Sequence, residues 1–522
     1  MTVTEPAADR QPHLRDRFPR APFVAILLLA AALRAGALDK PFYVDEMSTI
    51  TVASQPLARM AETMREIDAS PALYPVLLHF WIEISRSDAW VRTLPALFGL
   101  LAVALVGLVG RRAFGWRTGL AAAFVMAIAP AHVHYAQYVR NYSLFTVLAA
   151  AHILLFIDWF DPRVPATRRR GALVLVVTVA LLYTHYLSML LFAGEALAGL
   201  WRLRDIRRRV LAWGGIVALG GVLFLPGLPL FLHNVAFDRV RNADRPDPPS
   251  LVRVVPNLAG ELMVGQRNLG FDNTAVRRAT LAAAAVLFPA LWLCGVVRGA
   301  RARPDVVVIL CAVSLVPIAI YLGSGRKLVA VRFFLPFAAG YLVLLGHGLA
   351  SLRGTVRWAA VAALCLISAV PLAHFYHTYS WSYDHRAVAQ AMEARARPGD
   401  VVLVTHPYEA FYYRWYLGDR IPVRGLLFTP IDEQDTYVIK PAAVRFEQAR
   451  ARILEAAAGH PRLWLVGQSK RSFAADAAEE ARIIAWMEAT YRRADDLGAL
   501  TGDDPIIRLY HARSPSSASS GR

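Results

Sequence analysis

The chain has 522 residues, 56% of them hydrophobic, and a mean hydropathy of +0.39. That is too apolar for a soluble chain of this length, and the apolar residues gather in blocks of roughly 20, the length that spans a bilayer as helix. The formal charge of +18 is mostly arginine set between those blocks, which argues against nucleic acid as a partner and for a topology signal and contact with anionic lipid.

Eleven spans are predicted, at approximately 22–38, 91–110, 118–136, 142–160, 171–184, 186–200, 211–232, 276–297, 305–323, 332–350 and 356–376. The basic segment 1–21, with Arg10, Arg15, Arg17 and Arg20, is expected in the cytoplasm and the C-terminus outside. The first span reads as an uncleaved helix with Arg34 snorkelling to the outer surface, although Ala35-Gly36-Ala37 is cleavage-like. A twelfth apolar stretch, 71–85, decides the topology. Counted as a crossing, it puts the arginine-rich loops 111–117, 161–170, 201–209 and 298–303 outside. Lying in the outer interface, it puts all of them in the cytoplasm, as the positive-inside rule requires. The outer face then carries 39–90, turns at 137–141, 184–186 and 324–331, a long loop at 233–275, and everything after 377. Charges are expected at the ends of spans. Cys294, Cys311 and Cys365 lack metal-ligand or disulfide spacing and read as buried free thiols.

The predicted transmembrane domain is 22–379. Beyond it the composition turns soluble. A helix, a Pro-Gly-Asp turn and a strand are predicted over 384–404, a second strand in 461–468, a helix over 479–493 and a closing strand over 506–512. This predicts a small extracytoplasmic α/β domain over 380–512 and a disordered tail, 513–522.

The sequence has no Walker loop, dinucleotide fingerprint or zincin helix, so chemistry must come from polar groups collected on the outer face. In "PFYVDEMSTI" (41–50), Asp45 and Glu46 are paired acids beside a span, costly unless something uses them. The cationic and polar candidates are His132, His134, Arg140, Asn141, Tyr142, His185, Arg326, Lys327 and Arg332, from separate outer turns. Tyr74 joins His185 as a candidate for substrate or metal. Acids from one loop and cations from others suit a substrate with a hydroxyl to activate and a phosphate to hold. Plainer roles compete: Asp45 as the N-cap of a helix over 46–54, Arg140 and Lys327 on lipid headgroups, His132 and His134 on backbone partners.

"FYVDEMSTI", "SPALYPVLLHFWIEI", "DAWVRTLPALFGLLAV", the segment 111–144 and "THYLSML" together resemble the polyprenyl-phosphate-dependent glycosyltransferases of the GT-C superfamily, which include protein O-mannosyltransferases (glycosyltransferase family 39) and lipid A aminoarabinose transferases. The resemblance is most specific over 40–190. It implies an α-helical polytopic membrane protein with about 11 transmembrane helices, an outer interfacial helix and the small α/β domain. It implies an enzyme of EC class 2.4, and the Ala/Arg-rich composition without organellar features places it in a bacterial cytoplasmic membrane with the site facing the periplasm or cell exterior. Such an enzyme moves a sugar, with inversion, from a polyprenyl-phosphate donor to an extracytoplasmic glycolipid, polysaccharide or protein. Asp45 is then the expected base and Glu46 its neighbour. Arg140, Tyr142, Arg326, Lys327 and Arg332 would hold the donor phosphate. A divalent metal, with His185 and Glu46 as ligands, stays open. Relatives often read His-Pro-Pro-Leu where this chain has Ser70-Pro71-Ala72-Leu73, so no ligand role carries over to Ser70. The rival classes are a transporter or flippase of lipid-linked sugars, with mid-membrane charges and inverted repeats, and a non-catalytic envelope-assembly protein.

Overall fold

The computed structural model describes residues 19–66, 70–241, 260–262, 264–265, 274–325, 329–377, 384–405, 407–426, 430–431, 436–437, 446–467, 477–498 and 506–512. The chain divides into two compact units, one of 1–39 with 70–379 and one of 40–69 with 380–522. In chain order the helices begin with α1 (Arg20–Ala35), α2 (Val44–Ala53), α3 (Leu57–Glu66), α4 (Leu73–Ile82), α5 (Asp88–Phe114), α6 (Trp116–Ile128), α7 (Pro130–Tyr135), α8 (Tyr142–Phe160), α9 (Arg168–Leu182) and α10 (Ser188–Trp201). They continue with α11 (Leu203–Leu223), α12 (Leu228–Arg241), α13 (Thr274–Ala302), α14 (Pro304–Gly323), α15 (Ala338–Ser351) and α16 (Gly354–His377).

In the first unit each predicted span is met by a helix or a helix pair. Among the described residues five helices are long and apolar enough to cross a membrane, α5, α8, α13, α14 and α16, or six if the bent pair α11–α12 is one span. Two predicted spans are broken where proline removes a backbone donor. Pro130 opens α7 and splits 118–136 after Ile128. Pro226 lies in the 3₁₀ turn Leu225–Gly227, where the pair bends by 47°. A third, 332–350, opens as two 3₁₀ turns, Val331–Phe333 and Leu335–Phe337. Close approach elsewhere needs glycine: a Cβ on Gly348 would lie 1.8 Å from the Leu291 carbonyl, and one on Gly295 equally near Leu344 O. Large apolar side chains such as Trp358 and Leu366 cover the helix surface, 70% and 69% exposed. Cys365 lies exposed among them, not buried as expected, because α16 turns that face outward.

One end of the bundle is tied by arginines. Arg112 bonds Asp158 and Asp161, the latter at 2.6 Å. Arg303 donates to Arg112 O at 3.1 Å, Arg209 to Trp159 O and Asp161 O at 2.7 Å, and Arg202 reaches Asp305 at 3.5 Å. Burial would raise the Asp161 carboxyl, but hydrogen bonds from Arg163 and Arg112 hold it well below the usual carboxylate range. The four arginine-rich loops therefore share one end. Helix α4 lies at the other. Its first N–H donates to Tyr183 O at 2.9 Å, just past the end of α9. At its last turn Trp81 stacks on Trp90 of α5's first turn, at 4.7 Å and 6°, with each indole donating to the other's backbone carbonyl. Both ends of α4 are thus at the end away from the arginines, and ten residues do not cross.

Ionisable groups are not confined to span ends. His152, midway along α8, meets Glu195 of α10 at 2.8 Å and Thr178 of α9 at 2.9 Å, all fully buried. Mutual hydrogen bonding is what makes such burial tolerable.

The second unit contains α2 and α3 followed by α17 (His385–Glu393), β1 (Asp400–Val404), α18 (Pro407–Leu417), β2 (Val423–Gly425), β3 (Pro430–Ile431), β4 (Thr436–Tyr437), α19 (Phe446–Gly459), β5 (Arg462–Val466), α20 (Ala477–Thr490), β6 (Arg492–Asp496) and β7 (Ile507–His511). The main sheet has the order β2-β1-β5-β7-β6; β1 pairs in parallel with β2 and β5, and β7 antiparallel with β5 and β6. Val401, Leu403, Leu463, Leu465, Ile453 and Met487 form its core. The predicted Pro-Gly-Asp turn is present, with Gly399 at φ +90°, a conformation glycine adopts without strain.

Candidate active site

In the first unit, the end away from the arginines collects aromatic and cationic side chains. The turn between α7 and α8 is fastened by Ser143 Oγ to Tyr135 O at 2.8 Å and by Asn141 Nδ2 to Thr184 O at 2.6 Å. The amide of Asn141 thus braces the neighbouring turn. Tyr135 lies 5.5 Å from Tyr142 and 5.7 Å from Tyr138, ring to ring. His185 stacks on Phe145 at 5.1 Å and is 6.1 Å from Tyr142. Its Nδ1 accepts from Leu187 N at 3.2 Å, which leaves Nε2 to carry the proton of the neutral ring. Arg332 reaches back to hydrogen-bond Tyr135, and Glu261 is near enough to Tyr135 to act on it electrostatically. The Arg332 guanidinium also lies over Phe333, 5.3 Å from its centroid.

Beneath this cluster a small cavity is lined by Arg34, Gly99, His132, Tyr135, Tyr142 and Thr146, with room of about 10 Å³, on the order of one water. Arg34 is 1% exposed, so it does not snorkel as expected. The break at Pro130 leaves carbonyls without helical donors, and Arg34 fills them, donating to Met126 O at 3.3 Å and Ala127 O at 3.2 Å. Gln137 Nε2 caps the end of α1 through Leu33, Arg34 and Gly36 carbonyls, and Arg92 donates to Gln137 O at 3.2 Å. His132 is buried, and among the described residues its Nε2 has no hydrogen-bond partner.

In the second unit, α2 carries the paired acids. Its N-cap is Tyr43, not Asp45, and the cap is completed by Glu46, whose Oε2 accepts the Tyr43 N–H at 2.8 Å. Glu46 is 2% exposed, while Asp45 is half-buried. The two adjacent carboxylates thus differ: one is built into the helix start, the other stands beside it.

Of the predicted residues, Tyr142, His185 and Arg332 are brought together. Arg140 sits half-buried in the turn at their side, and Tyr74 is buried in α4. Asp45 and Glu46 belong to the second unit. Arg326 and Lys327 lie outside the described residues. The sequence singled out neither Tyr135 nor Tyr138, and Arg34 read only as a snorkelling side chain; the tyrosines at 135, 138 and 142, at helical spacing of three and four, were the available signal. Among the described residues no three of His, Cys, Asp and Glu gather as a metal would need.

Solved structures share this architecture. ArnT from Cupriavidus metallidurans in the apo state is similar over 94% of this chain and 97% of its own, with a TM-score of 0.57 at 14% identity. ArnT bound to undecaprenyl phosphate is similar over 94% and 98%, with a TM-score of 0.53 at 14% identity. The apo oligosaccharyltransferase of Archaeoglobus fulgidus is similar over 90% of this chain and 73% of its own, with a TM-score of 0.53 at 12% identity. No protein-family model and no curated protein matches the chain. The chain has the fold of these structures, a bundle of apolar helices with a small sheet-containing domain.

Proposed function

We propose that the chain is an integral-membrane inverting glycosyltransferase that takes a sugar from a polyprenyl-phosphate donor to an acceptor outside the cytoplasm. The observation that carries the reading is the gathering of Arg332, Tyr135, Tyr142 and His185 at the bundle end away from the arginine-tied loops, in a GT-C fold. Supporting it, ArnT, of the same fold, has been solved with undecaprenyl phosphate bound. By the positive-inside rule the arginine-tied end faces the cytoplasm and this cluster the outer side.

Asp45 takes the proton of the acceptor hydroxyl as that oxygen attacks the anomeric carbon. The bond from that carbon to the phosphate oxygen breaks on the opposite side, so the configuration inverts and polyprenyl phosphate leaves. Arg332 and Arg140 meet the developing phosphate charge, which favours guanidinium for two-oxygen contact. The Nε2–H of His185 and the Tyr142 hydroxyl are further donors. Glu46 keeps the helix start intact rather than moving protons. The buried His152–Glu195 pair removes one sequence objection to a transporter, but fold similarity to ArnT and to an oligosaccharyltransferase favours transfer over transport. Mass spectrometry of envelope glycolipids, polysaccharide and glycoproteins from cells with and without the chain tests the proposal. A sugar missing from one acceptor class, with its polyprenyl-phosphate donor accumulating, is the expected result. The same sugar missing with its donor stranded on the cytoplasmic leaflet would point to the flippase instead, and an unchanged glycan profile with no donor accumulating would overturn the proposal.

A further inference from the structure

We infer that Tyr412 and His385 are positioning residues that clamp the entry to α2 and so hold Asp45 in place for turnover. The inference rests on the reading of Asp45 as the base. Within the second unit, Tyr412 of α18 donates its hydroxyl to the Phe42 carbonyl at 3.2 Å. Phe42 is fully buried and stands three residues before Asp45. The N–H of the same peptide group, that of Tyr43, is taken by Glu46. One peptide group at the helix start, that between Phe42 and Tyr43, is therefore fixed at both ends, its N–H from within α2 and its carbonyl from a residue 370 positions away in sequence. A helix of ten residues is marginal by itself, and α2 packs along α18.

The clamp is itself held from behind. The His385 ring stacks on Tyr412 with centroids 3.8 Å apart and planes at 19°. Its Nδ1 lies 3.4 Å from Tyr413 Oη and 3.5 Å from Glu409 Oε2. Tyr412, Tyr413 and His385 are all buried. Burial pushes the imidazole down to about 3, so the ring on Tyr412 is neutral at physiological pH. The α/β domain is thereby given a role in the reaction: a platform for the acid-bearing loop.

Tyr412→Phe removes the hydroxyl and little else. Amide exchange over Ser48–Ala53, followed by mass spectrometry on the full-length protein, is expected to quicken by roughly three- to tenfold, the worth of one net hydrogen bond. kcat should fall by a similar factor with the donor KM and thermal midpoint kept. His385→Phe retains a ring over Tyr412 and should stay near wild type, while His385→Ala should reproduce both effects. Unchanged exchange in Tyr412→Phe overturns the clamp, whatever the activity. Faster exchange with wild-type kcat overturns its link to catalysis. The underlying reading fails separately, if Asp45→Asn turns over at the wild-type rate in the same assay.

Discussion

Exchanging each of the adjacent acids for its amide separates a structural carboxylate from a catalytic one. Glu46 is 2% exposed and its Oε2 accepts the Tyr43 N–H at 2.8 Å. Glu46→Gln retains an acceptor there, so its cost is below about 1 kcal/mol. Glu46→Ala leaves the N–H without its cap and costs roughly 1–3 kcal/mol, read as a lower thermal midpoint in detergent. Neither change touches the reacting atoms, and turnover of the folded fraction should stay within a few-fold of wild type. Asp45→Asn is nearly isosteric and lies outside the cap. It should leave the midpoint unchanged and lower kcat on the order of 10²–10⁴-fold, about 3–5 kcal/mol of barrier. Release of polyprenyl phosphate, measured by chromatography beside melting curves of each variant, gives both quantities. An inactive, fully folded Glu46→Gln together with an active Asp45→Asn would refute the division of labour.

At the phosphate, Arg332→Ala and Arg140→Ala should each weaken donor use by roughly 1.5–3 kcal/mol, with the Lys variants partly active, since Lys keeps the charge and loses the planar fork; donor-concentration curves in a fixed lipid mixture check this, and curves that match wild type return both residues to lipid contact. His385 is pushed down from 6.5 to about 3 by burial, so the unfolded chain binds a proton below pH 6.5 that the folded chain lacks. Stability is then full above pH 6.5 and falls as pH drops, by roughly 2 kcal/mol at pH 5, and thermal midpoints against pH should show this slope in wild type and not in His385→Phe. For topology, a cysteine replacing the exposed Ala166 in the loop before α9 should resist an impermeant thiol reagent in intact cells, whereas one replacing Arg86, between α4 and α5, should react; the reverse pattern would invert the protein in the membrane.

Much of the helical domain was legible because lipid demands about 20 apolar residues in a row, and the loop arginines gather at one end of the bundle. The non-crossing of 71–85 was read from the positive-inside rule, its length and its prolines, and α4 is a ten-residue helix with both ends at the end of the bundle away from the arginines. What was hidden depends on pairing across the fold. His152 and Glu195 are 43 residues apart, and no local pattern announces that each will satisfy the other. Arg34 near a span end reads as snorkelling, but the carbonyls opened by Pro130 draw it inward. In the α/β domain the apolar strands β1 and β5 were evident, whereas β6, with the sequence Arg-Arg-Ala-Asp-Asp, was not. It is an exposed edge strand with an irregularity between Arg493 and Asp495, and its charges protect that edge. Of the site, the acids and arginines stood out by charge alone. That Glu46 and not Asp45 builds the cap is a matter of one residue's placement at the helix start, which sequence leaves open within a residue or two.

The central claim is met most directly by purified protein in liposomes, supplied with a defined sugar on polyprenyl phosphate and with acceptor from cells lacking the chain. The quantities to measure together are polyprenyl phosphate released, sugar joined to acceptor, and the anomeric configuration of the product by NMR. One polyprenyl phosphate per sugar transferred, an inverted anomeric centre, and loss of both products in Asp45→Asn is the predicted result. Donor consumed at the same rate by Asp45→Asn, or a product of retained configuration, would contradict it.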